Sequence, residues 1–148
     1  MPTTVDLHAL ESVAALLAEA RALYADALPF VHQSDAREAL CGVIAVREAL
    51  HLRLRDLMGD LGARAPAPGA IDAASLIIHR ALAQGDLGAA LREIDAWDAR
   101  LRDGVHRHAF TPGLSADVEA NLLFTRRILD VAPAALGAHA QTRDSAAA

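Results

Sequence analysis

The composition of this chain excludes several classes of protein. Its 148 residues are 53% apolar, 22% charged and only 3% aromatic, and alanine is abundant. This mixture favours helices packed through small side chains over sheets, which are richer in β-branched and aromatic residues. The net charge of −5 and the absence of lysine argue against non-specific nucleic-acid binding, which depends on clustered cations.

The length fits a single domain, which we assign to residues 1–140, followed by a disordered alanine-rich tail at residues 141–148. The N-terminus lacks the basic-then-apolar order of a signal peptide, and no apolar run has the length of a membrane span. We therefore expect a cytoplasmic protein that has neither nucleic-acid nor membrane partners.

Two long helices are predicted in the first half of the chain. The first runs from about Thr4 to Leu28 and ends at Pro29, which cannot continue a helix. After a short loop, Ser34 or Asp35 can cap the second helix. Gly62, a residue type that often follows a helix in the left-handed conformation, predicts the end of the second helix.

The second helix carries charge where apolar side chains are expected. Its core positions recur at the alternating four-and-three spacing of a helix seam, and Arg47 and His51 occupy two of them. Because a cation on a buried stripe costs several kcal/mol unless it is paired, another helix must supply an acidic partner for Arg47. The seam consists of Leu40, Ile44, Arg47, His51, Leu54, Met58 and Leu61.

A short, very apolar helix is predicted from about Asp72 to Gln84, after the proline- and glycine-containing loop at residues 66–69. Asp86 can cap a third long helix, which runs to about Ala109. The core seam of that helix contains Asp98 among apolar residues. A carboxylate is therefore expected to face the same interior as the buried cation of the second helix.

A fourth long helix begins after Ser115, a candidate N-cap, and is limited by Pro133. It is apolar on more than one side, so one core cannot bury all of its apolar residues. Either the short helix or a second subunit must cover the surplus, and a homodimer is thus one of two solutions. The surplus residues are Leu123, Phe124, Ile128 and Val131.

The connections between the helices predict the topology. Short loops join the first helix to the second and the third long helix to the fourth, so each pair is expected to form an antiparallel hairpin. A longer connection, which contains the short helix, separates the two pairs. The predicted fold is therefore all-α, a four-helix bundle of two antiparallel hairpins joined by a long crossover containing a short helix, the connectivity of ferritin-like bundles.

Several inward-facing polar residues are expected to meet in the middle of this bundle. In the simplest interpretation, Asp98 accepts hydrogen bonds from Arg47 or His51, and Tyr24 makes a remaining hydrogen bond of this network. Such a network contributes little net stability but can determine which helices face each other. The predicted buried polar network consists of Arg47, His51, Asp98, Tyr24 and Arg126.

The alternative is a metal site. Four-helix di-iron sites use one inward Glu from each of two helices and a Glu-x-x-His motif from each of the other two. Glu48 and His51 supply one such motif, and Asp98 is a third candidate ligand. The fourth long helix would have to supply the second motif, but Leu122 occupies the position of its His. The first helix offers no inward acid. Arg47, on the same seam as His51, would also repel a divalent cation.

Four segments carry a resemblance to a known family: Val46–Leu54 running on to Leu61 and Gly62, the Pro/Gly linker with its short helix, Ala83–Asp86, and Leu114–Val118. In order and spacing they resemble small bacterial ferritin-like four-helix-bundle proteins of unknown function, within the ferritin-like superfamily. The resemblance spans roughly residues 7–132. It implies a ferritin-like fold and, for members with complete ligand sets, iron oxidation or storage. Of such a set only Glu48 and His51 carry over, with Asp98 as a looser match.

The leading functional hypothesis is a non-enzymatic, metal-free bundle that needs no cofactor and acts structurally or through protein partners. The alternative is a non-haem iron protein, with oxidase or iron-handling activity, that uses Glu48, His51 and Asp98. Cys41, the only cysteine, is expected to pack as a small apolar residue. The local sequence contains no Ser-His-Asp arrangement.

Overall fold

The computed structural model describes residues 3–60 and 73–131, and these residues form helices joined by short turns. The prediction of an all-α protein is confirmed for this part of the chain, which contains no strand. A 3-10 turn, Leu28–Phe30, lies between the first two helices. The α-helices of the described residues are α1 (Thr4–Ala27), α2 (Ser34–Asp60), α3 (Ala73–Ala83), α4 (Leu87–Ala109) and α5 (Ala116–Val131).

Local sequence signals determine where the helices begin and end. The Thr3 hydroxyl accepts the N–H of Asp6 at 3.1 Å, and the Asp6 carboxylate accepts the N–H of Thr3 at 2.9 Å, which is a capping box. After α3, Gly85 adopts a φ of +76°, a conformation that glycine reaches at little cost. Asp86 then caps α4 by accepting the N–H of Ala89 at 3.0 Å.

The predicted helix ends agree with the structure to within one or two residues wherever they fall on described residues; α2 begins at Ser34 itself, one of its two predicted caps. The expected helix end at Gly62, the loop at 66–69, the limit at Pro133 and the tail at 141–148 all lie outside the described residues. Among the helices that the structure describes, none combines the length and the apolar character needed to cross a bilayer.

α1 packs against both α2 and α4. It is antiparallel to α2, because Ala14 in the middle of α1 contacts His51 in the second half of α2, whereas Arg21, further along α1, pairs with the earlier residue Glu48. The two contacts run in opposite directions along the chain. The first predicted hairpin is therefore seen as an antiparallel pair of helices.

α4 packs against α1, α3 and α5. It is antiparallel to α1, because His108 near the end of α4 lies beside His8 near the start of α1. Gly104 allows the two helices to approach closely, since a Cβ at this position would lie only 2.8 Å from Cδ1 of Leu16. A short turn at residues 110–115 then joins α4 to α5.

The seam predicted for α2 faces the core. Leu40, Leu54 and Met58 are buried, and Ile44 is half-buried. The expectation for Cys41 is wrong, because this residue is exposed. Its side chain lies about 100° around the helix from that of Leu40, which directs it away from the core.

A second buried carboxylate joins the beginnings of α1 and α5. Asp6 is fully buried and accepts the backbone N–H of Ser115 at 2.8 Å, in addition to its bond from Thr3. Burial raises the pKa of Asp6, but the hydrogen bonds from Thr3 and Ser115 outweigh it, so the pKa lies below the ordinary value of 3.8. Asp6 thus ties the N-terminal helix to a turn more than a hundred residues away.

Candidate functional site: a buried arginine–aspartate pair

The interior of the helix packing contains an ion pair between α2 and α4. Arg47 and Asp98 are 0% and 2% exposed. Both Nε and Nη2 of Arg47 donate to Oδ1 of Asp98, with an Nε–Oδ1 distance of 3.0 Å. The two residues are 51 positions apart, so the contact depends on how the helices pack.

The rest of the Arg47 guanidinium is also occupied. Nη1 donates to the carbonyl oxygen of Val43, one turn earlier in α2, at 3.2 Å. Its Cζ lies 5.0 Å from the centroid of the Tyr24 ring on α1, a distance at which the ring attracts a cation. Because a guanidinium keeps its charge in proteins, these contacts and the Asp98 carboxylate together replace the water that Arg47 has lost.

A second cation approaches Asp98 from its own helix. Nε of Arg102, four residues later, lies 3.6 Å from Oδ2 of Asp98. Within residues 3–60 and 73–131, this Nε is the one buried side-chain nitrogen or oxygen that makes no hydrogen bond. Sequence reasoning missed Arg102, although its spacing from Asp98 is that of neighbours on one helix face.

Two further groups beside the pair have shifted pKa values. Burial raises the pKa of the Tyr24 phenol far above its ordinary value, and the charge of Asp98 raises it further, so Tyr24 remains a neutral hydroxyl. Burial and then the charge of Asp98 raise the pKa of half-buried Asp95 to about 6, although Arg102 and Arg47 act in the opposite direction. The site therefore has a carboxyl that titrates close to neutral pH.

The other candidate metal ligands lie apart from this pair. Nδ1 of His51 is 3.1 Å from the carbonyl oxygen of Ala14, to which it can donate. Glu48 pairs with Arg21 at 3.3 Å, and both side chains are 47% exposed. In the part of the chain that the structure describes, no three His, Cys, Asp or Glu side chains are arranged to hold a metal ion. Glu48, His51 and Asp98 thus contact three different partners, which are Arg21, the backbone of Ala14 and Arg47.

Arg126 also lies outside the central contact. Its Nε donates to both oxygens of Asp130, at 2.8 and 2.9 Å, and its Nη1 donates to the carbonyl oxygen of Arg102 at 2.9 Å. Helical projection predicts the direction of a side chain but not its partner on the next helix. The prediction therefore could not tell which inward-facing residues contact Arg47 and Asp98 and which bind elsewhere. Of the predicted network, the structure brings Arg47, Asp98 and Tyr24 together and leaves His51 and Arg126 bound elsewhere.

Comparison of the chain with protein-family models, with curated proteins and with solved structures finds no match. The class of protein is therefore defined by the fold and the site alone. It is an all-α protein in which an arginine of α2 and an aspartate of α4 form an ion pair inside the helix packing. The resemblance to ferritin-like proteins stays a prediction.

We expect Arg47→Leu to lower the free energy of unfolding by about 3–5 kcal/mol, because the Asp98 carboxylate would remain buried without its main partner. The double variant Arg47→Leu/Asp98→Leu should recover much of this loss, since it removes both charges. Urea unfolding at neutral pH, followed by circular dichroism, measures both effects.

Arg21→Leu is the matched control for this experiment. It breaks another ion pair between helices, but both of its members are 47% exposed, so the expected loss is at most about 1 kcal/mol. Equal losses in the Arg47 and Arg21 variants, or no recovery in the double variant, would show that Arg47 and Asp98 do not depend on each other.

Asp95→Asn is expected to flatten the pH dependence of stability between about pH 4 and about pH 7. The folded protein holds the Asp95 proton with a pKa of about 6, against an ordinary value of 3.8. The stability contributed by the protonated carboxyl is therefore complete below pH 3.8 and is lost as the pH rises through 6. Urea titrations across this range should show the unaltered protein losing stability relative to the variant.

Asp103→Asn, at an exposed position of α4, is the control for the Asp95 variant. Identical pH profiles of stability for all three proteins would contradict the raised pKa of Asp95.

Proposed function

We propose that the chain is a metal-free, ferritin-like four-helix bundle that acts structurally and through contacts with a second copy of itself. The bundle consists of α1, α2, α4 and α5. In this proposal α3 belongs to the crossover between the two hairpins.

The directions of the helices support this topology. α1 is antiparallel to both α2 and α4, so α2 and α4 must be parallel to each other. Two successive long helices that run in parallel need a connection that returns along the bundle, and the segment that includes α3 supplies it. One long crossover of this kind distinguishes ferritin-like bundles from simple up-and-down bundles.

A single observation carries the proposal that the bundle works without metal. The guanidinium of Arg47 is completely buried on the helix seam that also holds His51, and Glu48 is its neighbour in the sequence. A divalent cation about 4 Å from this charge would be opposed by about 8 kcal/mol at an effective dielectric constant of about 20. The carboxylate that could offset that repulsion, Asp98, is already paired with the guanidinium.

Metal analysis tests this proposal. Protein purified without chelator and then loaded aerobically with ferrous iron should contain far less than one iron per chain by elemental analysis. His51→Ala should give the same result, because His51 donates to a backbone carbonyl group and has no ligand role in the proposal. Stoichiometric iron in the unaltered protein that is lost in His51→Ala would instead establish the alternative, a non-haem iron protein.

The partner surface in this proposal is the outer face of α5, defined here as Leu123, Phe124 and Val131. These side chains are 38%, 40% and 82% exposed, so the described helices leave much of the face uncovered. α3 packs chiefly against α4, which removes it as the cover for this face among the described contacts. Arg53 of α2 lies 4.2 Å above the Phe124 ring and adds a polar edge to the apolar patch. A second copy is the other of the two solutions that the sequence suggests.

Light scattering coupled to gel filtration measures the self-association. We expect a mass near twice the 15.6 kDa of one chain, which Leu123→Ser/Val131→Ser should reduce to that of the monomer. Leu76→Ser is the control, because Leu76 is a comparably apolar residue, 61% exposed, on α3. A monomer at high protein concentration, or a dimer that only the Leu76 variant disrupts, would contradict the assignment to α5.

A further inference from the structure

A cation lies within the apolar partner surface on the outer face of α5. Arg127 is exposed, and it follows Leu123 by four residues and Phe124 by three, spacings at which side chains on a helix are neighbours. Val131 follows Arg127 by another four residues, so apolar residues flank the arginine on both sides along the helix. A protein that covers this surface buries the charge of Arg127, which is costly unless an acid pairs with it.

Arg127 has no acid to pair with on its own helix. Asp130 lies closest along α5, but Nε of Arg126 already donates to both of its oxygens. Asp117 and Glu119 lie in the first turn of α5, about 15 and 12 Å from Arg127 along the helix axis. Among residues 3–60 and 73–131, the side chains of Arg127, Asp117 and Glu119 form no ion pair and no hydrogen bond. These residues thus leave two acids and a base unpaired at opposite ends of one helix.

The first half of α5 presents a surface that fits an arginine. Ala116 and Ala120 are exposed and lie four residues apart, so their small side chains form a strip along the helix. At about 100° per residue, Asp117 and Glu119 lie about 80° to either side of this strip. Arg127 lies on the continuation of the strip, because it follows Ala120 by two turns of the helix. A strip of small residues between two carboxylates at one end of the face thus complements the arginine at the other end.

We propose that two copies of the chain pack their α5 helices antiparallel across a two-fold axis, with Arg127 of each copy between Asp117 and Glu119 of the other. The pairing rests on the self-association proposed above and adds its direction and its charged contacts. When the axis crosses the middle of α5, Arg127 of one helix lies opposite Ala120 of the other. Each contact then occurs twice, as two-fold symmetry requires.

Charge and shape both favour the antiparallel direction over the parallel one. A parallel pair would set Arg127 against Arg127 and the acids against the acids, and like charges across an interface are strongly unfavourable. It would also set large residues against large ones and alanine against alanine. In the antiparallel pair Val131 lies opposite Ala116, so large side chains meet small ones, as close packing of an interface requires. Arginine is also among the residue types enriched in the centres of interfaces.

Charge reversal followed by mixing tests the charged contacts on the full chain. Arg127→Asp should weaken the self-association by about 10-fold or more, because it sets a further carboxylate against the two acids of the other copy. Asp117→Arg/Glu119→Arg should weaken it similarly, since each contact would then contain only cations. An equimolar mixture of the two variants should regain the dimer, because both contacts again join opposite charges. Light scattering coupled to gel filtration, over a series of protein concentrations, measures all three.

A nitroxide spin label at the start of α5 measures the direction of packing. The label is attached to Ala116→Cys in a Cys41→Ser background, which removes the exposed native thiol. In the antiparallel pair the two labelled positions are about 15 residues apart along the helices, or about 22 Å at about 1.5 Å per residue. A parallel pair would bring them within about 10 Å, the usual distance between packed helices. Double electron–electron resonance distinguishes the two distances.

The outcomes separate this pairing from the self-association on which it rests. A monomeric unaltered protein overturns both. A dimer that Leu123→Ser/Val131→Ser disrupts but folded Arg127→Asp leaves intact overturns the pairing alone, as do labels within about 10 Å of each other. Arg55→Asp, at an exposed position of α2, is the matched control, and an equal loss in this variant would also overturn the pairing. Far-UV circular dichroism reports whether each variant is folded. If the double arginine variant does not fold, Arg127→Asp and the label distance decide the question.

Discussion

The requirement that a buried charge be compensated governs the interior of this protein. Arg47 is the largest completely buried side chain among the residues that the structure describes, and its guanidinium cannot lose its charge. In the packed structure the guanidinium contacts a carboxylate of α4, a carbonyl group of α2 and an aromatic ring of α1. Three helices therefore have to meet at one point. A shift of α2 or α4 along its axis would leave an ionised group without its partner, which costs far more than the loss of an ordinary apolar contact.

That compensation also decides what else the interior can do. With Asp98 bound to Arg47, the charge of the carboxylate is no longer available to a metal ion, and the cation repels any that approaches. Burial, and after it the same negative charge, raises the pKa of the Tyr24 phenol and of Asp95.

Two further polar clusters lie near the ends of the helices, apart from the ion pair in the interior. Asp6 joins the starts of α1 and α5, and the line of Ser75, His79 and Asp26 joins α3 to the end of α1. Asp6 accepts backbone N–H groups at the starts of two helices, which commonly take carboxylates as partners, whereas Ser75, His79 and Asp26 contact one another through their side chains. The first cluster is closed, because its carboxylate is buried among donors. In the second cluster the side chains of His79 and Asp26 are 47% and 44% exposed, whereas Ser75 is buried.

The sequence by itself determined the helices, their ends and the presence of a cation and a carboxylate on two core seams. These features depend on residues close together in the chain: capping side chains, glycine and proline, and the period of the apolar positions. Only the tertiary structure decided that Asp98 is the partner of Arg47, that His51 turns to the backbone of α1, and that Asp26 reaches His79. The physical reason is that a helical period defines the direction of a side chain around its own axis. The height and rotation at which two helices meet depend on the packing of both surfaces, as the close approach at Gly104 illustrates.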